Sequence, residues 1–290
     1  MSVCNLCPRQ CKVDKSRQVG YCKVDDKIYI NKIMPHFWEE PCISGQHGSG
    51  AIFFCGCNLG CIYCQNQKIS RSKSGDVYTV EQLAMQFLEF DNSSVHNINL
   101  VTPTHYADKI AEALKLYTPK KPIVYNTSSY EKAENLDLFD NKIKVFLADY
   151  KYCDNELALK YSNAADYSEI ALEFIDKALK VAGKPQFDEN KIMTSGVIVR
   201  HLVLPGHADH SMKCIKTLYR RYKDDIYISI MRQYTPIGNL PYEQLNNTVT
   251  DDEYSLILDY ADYLGVKNGF TQDFDSARDS FIPDFKEGQI

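Results

Sequence analysis

The sequence predicts an α/β fold, specifically a partial (β/α)6 barrel of the TIM type with a small cysteine-rich module at its N-terminus. Two observations lead to this prediction. Six short apolar segments with strand character recur along the chain, and helical segments lie between them. Such alternation is typical of a parallel sheet with right-handed crossovers. Six units fall short of the eight of a full barrel, so an open barrel is expected, with a doubly wound flat sheet as the alternative.

The predicted strands are short apolar runs, which suit a sheet covered on both faces. They span residues 51–54, 98–101, 122–125, 145–150, 197–203 and 226–231. Between them, residues 79–82 (TVEQ) and 250–253 (TDDE) have the capping-box spacing that opens a helix. Residues 107–116, 166–181 and 209–222 are the other predicted helices, and the second of these has apolar residues at the three- and four-residue spacing of one buried face.

A change of composition suggests the domain boundaries. The first 49 residues are rich in cysteine, lysine and glycine, and they are expected to form the accessory module. Residues 50–270 are expected to form the barrel, and residues 271–290, which show no periodic pattern, a C-terminal tail.

Composition narrows the function classes. The chain has 290 residues, of which 44% are hydrophobic and 24% charged, as in soluble globular proteins. Its formal net charge of −5 provides no chain-wide basic field, which disfavours a nucleic-acid partner. No apolar run approaches the roughly 18 residues of a membrane span, and the N-terminus lacks the apolar stretch of a signal peptide. A cytoplasmic location is expected.

The eleven cysteines point to metal binding, because closely spaced cysteines in a cytosolic chain more often hold metal than form disulfides. Cys57-x3-Cys61-x2-Cys64 directly follows the first predicted strand. Three thiolates can hold three irons of a [4Fe-4S] cluster and leave the fourth iron open to a small chelating molecule. A structural zinc knuckle and chance clustering are the alternatives. Cys55 does not fit the spacing and is expected to be buried.

This spacing, with Tyr63 before the last cysteine, resembles the signature of the radical S-adenosylmethionine (SAM) superfamily. The resemblance implies that Cys57, Cys61 and Cys64 are the catalytic cluster ligands, that the open iron chelates SAM, and that Tyr63 lies in the cofactor site. It also implies an enzyme in which an electron from the cluster cleaves SAM to methionine and a 5′-deoxyadenosyl radical, which abstracts hydrogen from a substrate.

Further stretches resemble glycyl-radical-enzyme activases, particularly pyruvate formate-lyase activating enzymes and a less characterised related branch. They are CNLCPRQCKV, HFWEEPCISG, CNLGCIYCQN, LVTPTHY, VYNTSSY and RHLVLPG, and together they cover nearly the whole chain. The resemblance implies an oxidoreductase of the activase type, with a glycyl radical enzyme as protein substrate. Its chemistry implies a flavodoxin- or ferredoxin-type electron donor.

The same resemblance assigns residues to the cofactor site. Asp149 and Lys151 match an Asp-x-Lys motif that helps hold SAM, and Arg200 matches an arginine of the fifth strand. Asn126 and Thr127 stand where the activases have a turn near the cofactor. A surface ion pair is the alternative for the first two residues, and a buried structural salt bridge is the alternative for Arg200.

Departures from the activase pattern leave the substrate open. Thr102 or Thr104 stands where the activases have a Gly-Gly-Glu motif, and Gln233 and Tyr234 stand where a histidine approaches the cofactor. A peptide, a small molecule or RNA is therefore the alternative substrate. His105 is a candidate site residue because it follows a strand in the predicted cleft, although a hydrogen-bonded loop histidine fits equally.

The N-terminal module contains a second set of cysteines, Cys4, Cys7, Cys11 and Cys22. Four thiols can close a second [4Fe-4S] cluster or a zinc site, or they can be four unrelated reduced thiols. The remaining cysteines, at positions 42, 153 and 214, are isolated in sequence and expected to be buried. A non-enzymatic iron–sulfur or zinc protein is the third functional hypothesis, which the six βα units disfavour.

Overall fold

A computed structural model describes residues 3–273 and 283–286, in which strands and helices alternate. The strands are β1 (Ile28–His36), β2 (Ser49–Phe54), β3 (Asp76–Tyr78), β4 (Ile98–Val101), β5 (Ile123–Thr127), β6 (Val145–Asp149), β7 (Gln186–Phe187), β8 (Met193–Leu202), β9 (Tyr227–Met231) and β10 (Gly269–Thr271). The helices are α1 (Pro41–Ser44), α2 (Gln67–Ser70), α3 (Val80–Asp91), α4 (Ala107–Leu116), α5 (Asn155–Ser162), α6 (Tyr167–Ala182), α7 (Ala208–Tyr222) and α8 (Asp251–Leu264).

The order of the parallel strands distinguishes between the two predicted architectures. Strands β2, β4, β5, β6, β8 and β9 are parallel, and each pairs with the next in chain order. A doubly wound sheet would reverse direction at a switch point, whereas sequential order is the barrel pattern. The prediction of an α/β fold with a mostly parallel sheet, consistent with a partial TIM-type barrel, is therefore confirmed.

Strands that the sequence did not predict extend this sheet. β1 pairs antiparallel with both β2 and β3, and β10 pairs parallel with β9. β1 was missed because Lys32, Pro35 and His36 interrupt its apolar pattern, and β10 has only three residues. The N-terminal segment 1–49 thus adds a strand to the main sheet, while the domain boundaries themselves stay predictions. Of the predicted tail, residues 274–282 and 287–290 lie outside the described residues.

The predicted helices form, and both predicted capping boxes are confirmed. The Thr79 side chain accepts a hydrogen bond from the Gln82 amide before α3, and the Thr250 side chain accepts one from the Glu253 amide before α8. Each cap satisfies a backbone N–H that has no partner inside the helix, which typically contributes about 1 kcal/mol. None of the helices in the described part of the chain has the length and apolar character needed to cross a membrane.

Alternation along three central strands positions polar groups above an apolar floor. Residues two apart in a strand point to the same face of the sheet. On one face, each strand has a fully buried aliphatic residue, followed two positions later by a polar residue near the strand's C-terminal end. These pairs are Val124 and Asn126 in β5, Leu147 and Asp149 in β6, and Ile198 and Arg200 in β8.

Candidate active site

A cavity of about 230 Å³ lies at the C-terminal ends of the parallel strands, where ligands bind in open α/β sheets. Ten of the residues that the sequence places near the cofactor line this cavity: Cys57, Cys61, Tyr63, Cys64, Thr102, Asn126, Thr127, Asp149, Lys151 and Arg200. They come from the loop after β2 and from the ends of four further strands. The chain therefore brings three thiols opposite a group of charged side chains.

The cysteine loop begins at a tight turn behind the cavity. Gly56 has a φ of +85°, and a Cβ there would lie 2.5 Å from the Cys22 carbonyl oxygen. A side chain is therefore excluded both by conformation and by space. The next residue, Cys57, donates its backbone N–H to that same oxygen at 3.3 Å, and its sulfur accepts the Leu59 N–H at 3.4 Å. These contacts direct the three thiols into the cavity.

The three thiols fit the ligand set of a [4Fe-4S] cluster. Burial raises the pKa of the Cys64 thiol to about 12, and the neighbouring Cys61 and Cys57 add to this effect. Burial also raises the pKa of Cys57, again with a contribution from Cys61. Three partly buried thiolates in one cavity repel one another, so their ionised forms need a cationic centre between them. Each of the three soft thiolates that face the cavity can bind one iron of a [4Fe-4S] cluster. The fourth iron is then left for a ligand from the cavity.

A hydrogen-bond chain supports the Cys61 sulfur from behind. The Ser162 hydroxyl donates to Cys61 Sγ at 3.1 Å, and the Tyr152 hydroxyl lies 2.8 Å from Ser162 Oγ. Tyr63, which the resemblance places in the cofactor site, extends the chain with its hydroxyl 2.7 Å from that of Tyr152. Hydrogen bonds to a ligating sulfur stabilise the more negative, reduced state of a cluster and raise its potential.

We expect Ser162→Ala to make the cluster potential more negative by roughly tens of millivolts, because it removes the donor to Cys61 Sγ. A redox titration followed by electron paramagnetic resonance (EPR) measures the shift. Ser168→Ala is the matched control, since the Ser168 hydroxyl bonds the Tyr150 hydroxyl at 2.9 Å. Equal potentials in both variants and the wild type would show that this donor does not tune the cluster.

Opposite the thiols, Arg200 holds a buried network of charges. Its guanidinium donates to Asp149 Oδ1 at 2.8 Å, to Glu39 Oε2 at 3.0 Å and to Asn126 Oδ1 at 2.6 Å. The Lys151 ammonium lies 2.6 Å from Asp149 Oδ2. The Arg200 side chain is only 12% exposed. The alternative that the sequence left open, a buried salt bridge at Arg200, is therefore what the structure shows, and SAM binding by these residues stays a prediction.

The charges of Arg200 and Lys151 keep Asp149 ionised. Burial by itself would raise the pKa of Asp149, but the Arg200 and Lys151 charges outweigh burial and hold the pKa below its usual range. Conversely, Asp149 is the main reason that the pKa of Lys151 is raised despite burial. At neutral pH Asp149 is thus a carboxylate between two cations, and such charged groups can pair with the amino and carboxylate groups of an amino-acid ligand.

Glu39 is a site residue that the sequence analysis missed. Its Oε1 accepts hydrogen bonds from the amides of Asn99 and Asn126, both at 2.9 Å, while Oε2 pairs with Arg200. Glu39 therefore orients polar side chains of both β4 and β5. One signal was visible in the sequence: Glu39 and Glu40 are adjacent acids between two aromatic residues and a proline, where burial needs a cationic partner.

The polar residues after β4 separate into two groups. Thr102 lines the cavity with a φ of +61°, a strained conformation for a β-branched residue and the kind of strain that clusters at functional sites. Thr104 instead donates to Glu131 at 2.6 Å outside the cavity lining. After β9, Gln233 lines the cavity, whereas Tyr234 is buried and donates to the Leu245 carbonyl at 2.6 Å.

The interpretation of His105 as a site residue is wrong. Its ring is buried behind the cysteine loop, where Nε2 donates to the Cys55 carbonyl oxygen at 2.7 Å. Burial lowers the pKa of His105 to about 3, so the ring is neutral. Cys55 is fully buried at the end of β2, as expected from its spacing. The loop after β4 turns into a short helix, which points His105 away from the cavity.

Cys153 and Cys214 are isolated in sequence but not in space. With His210 they form a group whose ligand atoms lie within 4.8 Å of one another. His210 Nδ1 lies 3.8 Å from Cys153 Sγ, and Nε2 lies 3.4 Å from Cys214 Sγ. The hydrogen bond with Cys214 is the main reason that the pKa of Cys153 is lowered to about 5. Helix α7 carries two of these residues four positions apart, a signal that the sequence analysis did not use.

The chain is similar in sequence and in fold to known proteins. A sequence model of the radical SAM superfamily matches residues 51–218. An uncharacterized protein of Methanocaldococcus jannaschii is 26% identical over 269 residues, which cover 89% of this chain and 74% of that protein. The crystal structure of a radical SAM methyltransferase from Sphaerobacter thermophilus superposes with a TM-score of 0.51 and 11% identity, covering 77% of this chain and 65% of the methyltransferase chain. Methylornithine synthase superposes with a TM-score of 0.45 and 12% identity over 74% of this chain and 68% of its own.

Proposed function

Because the chain belongs to the radical SAM superfamily, we propose that it is an activase of glycyl radical enzymes. Its cofactors are a [4Fe-4S] cluster and SAM, as in the family. When bound, they supply reductive cleavage of SAM and a 5′-deoxyadenosyl radical that abstracts hydrogen. Membership of this enzyme family also excludes the hypothesis of a simple iron–sulfur carrier.

The chain's own residues hold and orient these groups. Cys57, Cys61 and Cys64 supply the three sulfur ligands from one loop. Across the cavity, Lys151 and Asp149 offer a cation and an anion to the carboxylate and amino ends of the SAM methionine. The buried Arg200 network fixes their geometry before the ligand arrives, which lowers the entropic cost of binding. Apolar wall residues Phe53, Val101, Leu202 and Met231 limit water in the cavity.

One observation supports the activase assignment in particular. The stretches that resemble activases converge on this cavity, although they are far apart in sequence: HFWEEP contributes Trp38 and Glu39, LVTPTHY contributes Thr102, and RHLVLPG contributes Arg200. Trp38, which lines the cavity, is 58% exposed. Exposed aromatic residues beside a cavity are typical of surfaces that receive a protein segment. A glycine-bearing loop of a partner enzyme fits this arrangement, and a flavodoxin- or ferredoxin-type protein is the electron donor that we propose.

The test is to incubate the reconstituted protein anaerobically with a low-potential reductant, SAM and each glycyl radical enzyme of the host. We expect a glycyl radical doublet in the EPR spectrum and one 5′-deoxyadenosine per radical formed. The doublet arises because hydrogen is abstracted from the backbone glycine of the partner.

The matched control is the same partner with its radical-bearing glycine replaced by alanine, which should give no doublet. Production of 5′-deoxyadenosine without a doublet for any partner would overturn the activase assignment. Such a result would instead favour a peptide, small-molecule or RNA substrate, with which the replacement of a charged motif by Thr102 is consistent.

A further inference from the structure

The four N-terminal thiols converge in space outside the active-site cavity. Cys11 Sγ and Cys22 Sγ lie 3.5 and 3.7 Å from the position that a Cβ on Gly20 would occupy, so the two sulfurs flank a residue without a side chain. The Lys12 backbone N–H donates to the Cys4 carbonyl oxygen at 3.2 Å, which brings Cys4 beside Cys11, and Cys7 has the other three cysteines as electrostatic neighbours. The thiols are therefore near neighbours that cannot all ionise without a cationic centre.

The spacing of these thiols favours a cluster over a single ion. In a zinc tetrahedron with bonds of about 2.3 Å, the sulfurs lie only about 3.8 Å from one another. Among the described residues, the group formed by Cys153, His210 and Cys214 is the one set of three ligand atoms within 4.8 Å of one another. No three sulfurs of the N-terminal set, whose four cysteines are all described, lie as close together as that. The same is true of the cavity thiols Cys57, Cys61 and Cys64, which match the cluster ligands of the family.

The surroundings of the thiols suit a negatively charged centre. The Tyr21 backbone N–H donates to Cys11 Sγ at 3.2 Å, a contact that favours a sulfur carrying negative charge. Lys15 is a cationic neighbour of Cys22. The Arg9 guanidinium lies 4.0 Å from the centroid of the Tyr21 ring. A cluster ligated by four thiolates carries a net negative charge, which these two cations offset.

This second site is in direct contact with the first. Cys22 accepts the backbone N–H of Cys57 through its carbonyl oxygen at 3.3 Å. Arg9 binds the carbonyl oxygens of Asn58 at 2.8 Å and of Leu59 at 3.0 Å. Ligands of the two sets are thus separated by one hydrogen bond, and an arginine between two N-terminal cysteines holds the active-site loop.

We propose that Cys4, Cys7, Cys11 and Cys22 bind a second [4Fe-4S] cluster, packed against the loop that holds the first. The four thiolates close this cluster, so it has no open iron for SAM. The inference concerns what these thiols bind and does not depend on the activase assignment. Two reduced clusters at this separation interact magnetically, which gives the proposal a spectroscopic signature in addition to a metal count.

The experiment is anaerobic quantification of iron, sulfide and zinc in the full chain and in Cys7/Cys11/Cys22→Ala. We expect about eight irons and eight sulfides in the wild type and about four of each in the variant. The EPR spectrum of the reduced wild type should show spin–spin splitting, and that of the variant a single uncoupled cluster. About four irons and one zinc in the wild type, with the zinc lost in the variant, would overturn the proposal. An iron count in the variant equal to that of the wild type would also overturn it.

Two further variants keep the result interpretable. The reciprocal variant, Cys57/Cys61/Cys64→Ala, leaves all four N-terminal thiols in place and should retain about four irons whose EPR signal does not respond to SAM. If this variant retained no iron while its circular dichroism spectrum showed that it was folded, the proposal would be contradicted. Cys214→Ala should keep about eight irons, since this cysteine belongs to neither set, and loss of iron there would also count against the proposed sites.

Discussion

Replacing Cys57, Cys61 and Cys64 together with alanine is expected to remove about four irons from the chain and to abolish reductive cleavage of SAM. The three sulfurs line one cavity and come from a single loop, so no other thiol of that cavity can replace them. Anaerobic iron analysis measures the first effect, and quantification of 5′-deoxyadenosine and methionine with dithionite as reductant measures the second.

Cys55→Ala is the matched control because it lies two residues before the same loop. Its thiol is fully buried behind the cavity and does not line it. We expect this variant to keep its iron and its SAM cleavage, with a loss of stability of about 1 kcal/mol from the vacated space. Iron loss in Cys55→Ala equal to that of the triple variant would mean that Cys55 belongs to the ligand set.

The part of the site that the sequence could predict is the part set by local spacing. Cys57, Cys61 and Cys64 share one loop, so eight residues of sequence determine which side chains act together. Asp149 and Lys151 are likewise two positions apart at the end of one strand, so they lie on the same side of it. Their resemblance to known motifs then supplied the expected role, and the structure places all of them around one cavity.

The part that could not be predicted depends on contacts between distant segments. Glu39 reaches Arg200, 161 positions away, because β1 pairs antiparallel with β2 and the loop between them reaches the inner face of the sheet, where Ile43 belongs to the same buried cluster as Val124. Cys153 and Cys214 meet because the first turn of α7 contacts the loop after β6, where His210 Nε2 lies 3.4 Å from the Lys151 carbonyl oxygen. His105 shows the converse limit: a position directly after a strand does not fix which way a side chain points, since the following turn decides it.

Arg200→Leu is expected to lower the free energy of unfolding by about 3–5 kcal/mol at neutral pH, because it leaves buried carboxylates without their shared cation. Asp149 and Glu39 both pair with this guanidinium, at 2.8 and 3.0 Å. The same change should weaken SAM binding by about tenfold or more, since loss of hydrogen bonds to charged groups displaces Asp149 and Lys151. Anaerobic urea denaturation of the metal-free chain measures the first effect, and equilibrium binding of SAM to the reconstituted protein measures the second.

The pH dependence of this loss tests its electrostatic cause. In the wild type the pKa of Asp149 is held below its usual value. Its ionised form therefore stabilises the fold above the unfolded pKa of about 3.9, and that contribution is lost as the pH falls through the lower folded value. In the variant the Arg200 charge is absent and burial raises the pKa of Asp149 relative to the wild type. In the variant, protonation of Asp149 removes the unpaired buried charge as the pH falls. The difference in free energy of unfolding between variant and wild type should therefore be smaller at pH 5 than at pH 8.

Arg221→Leu is the control that separates buried from exposed ion pairs. Arg221 pairs with Asp176 through two hydrogen bonds, but its side chain is 47% exposed. Water screens this pair, so its removal should cost about 0–1 kcal/mol and leave SAM binding unchanged. If Arg200→Leu cost no more than Arg221→Leu, or if its effect did not diminish at pH 5, the Arg200 network would not be the element that organises the cavity, and binding of SAM would have to depend on the cysteine loop and Lys151 alone.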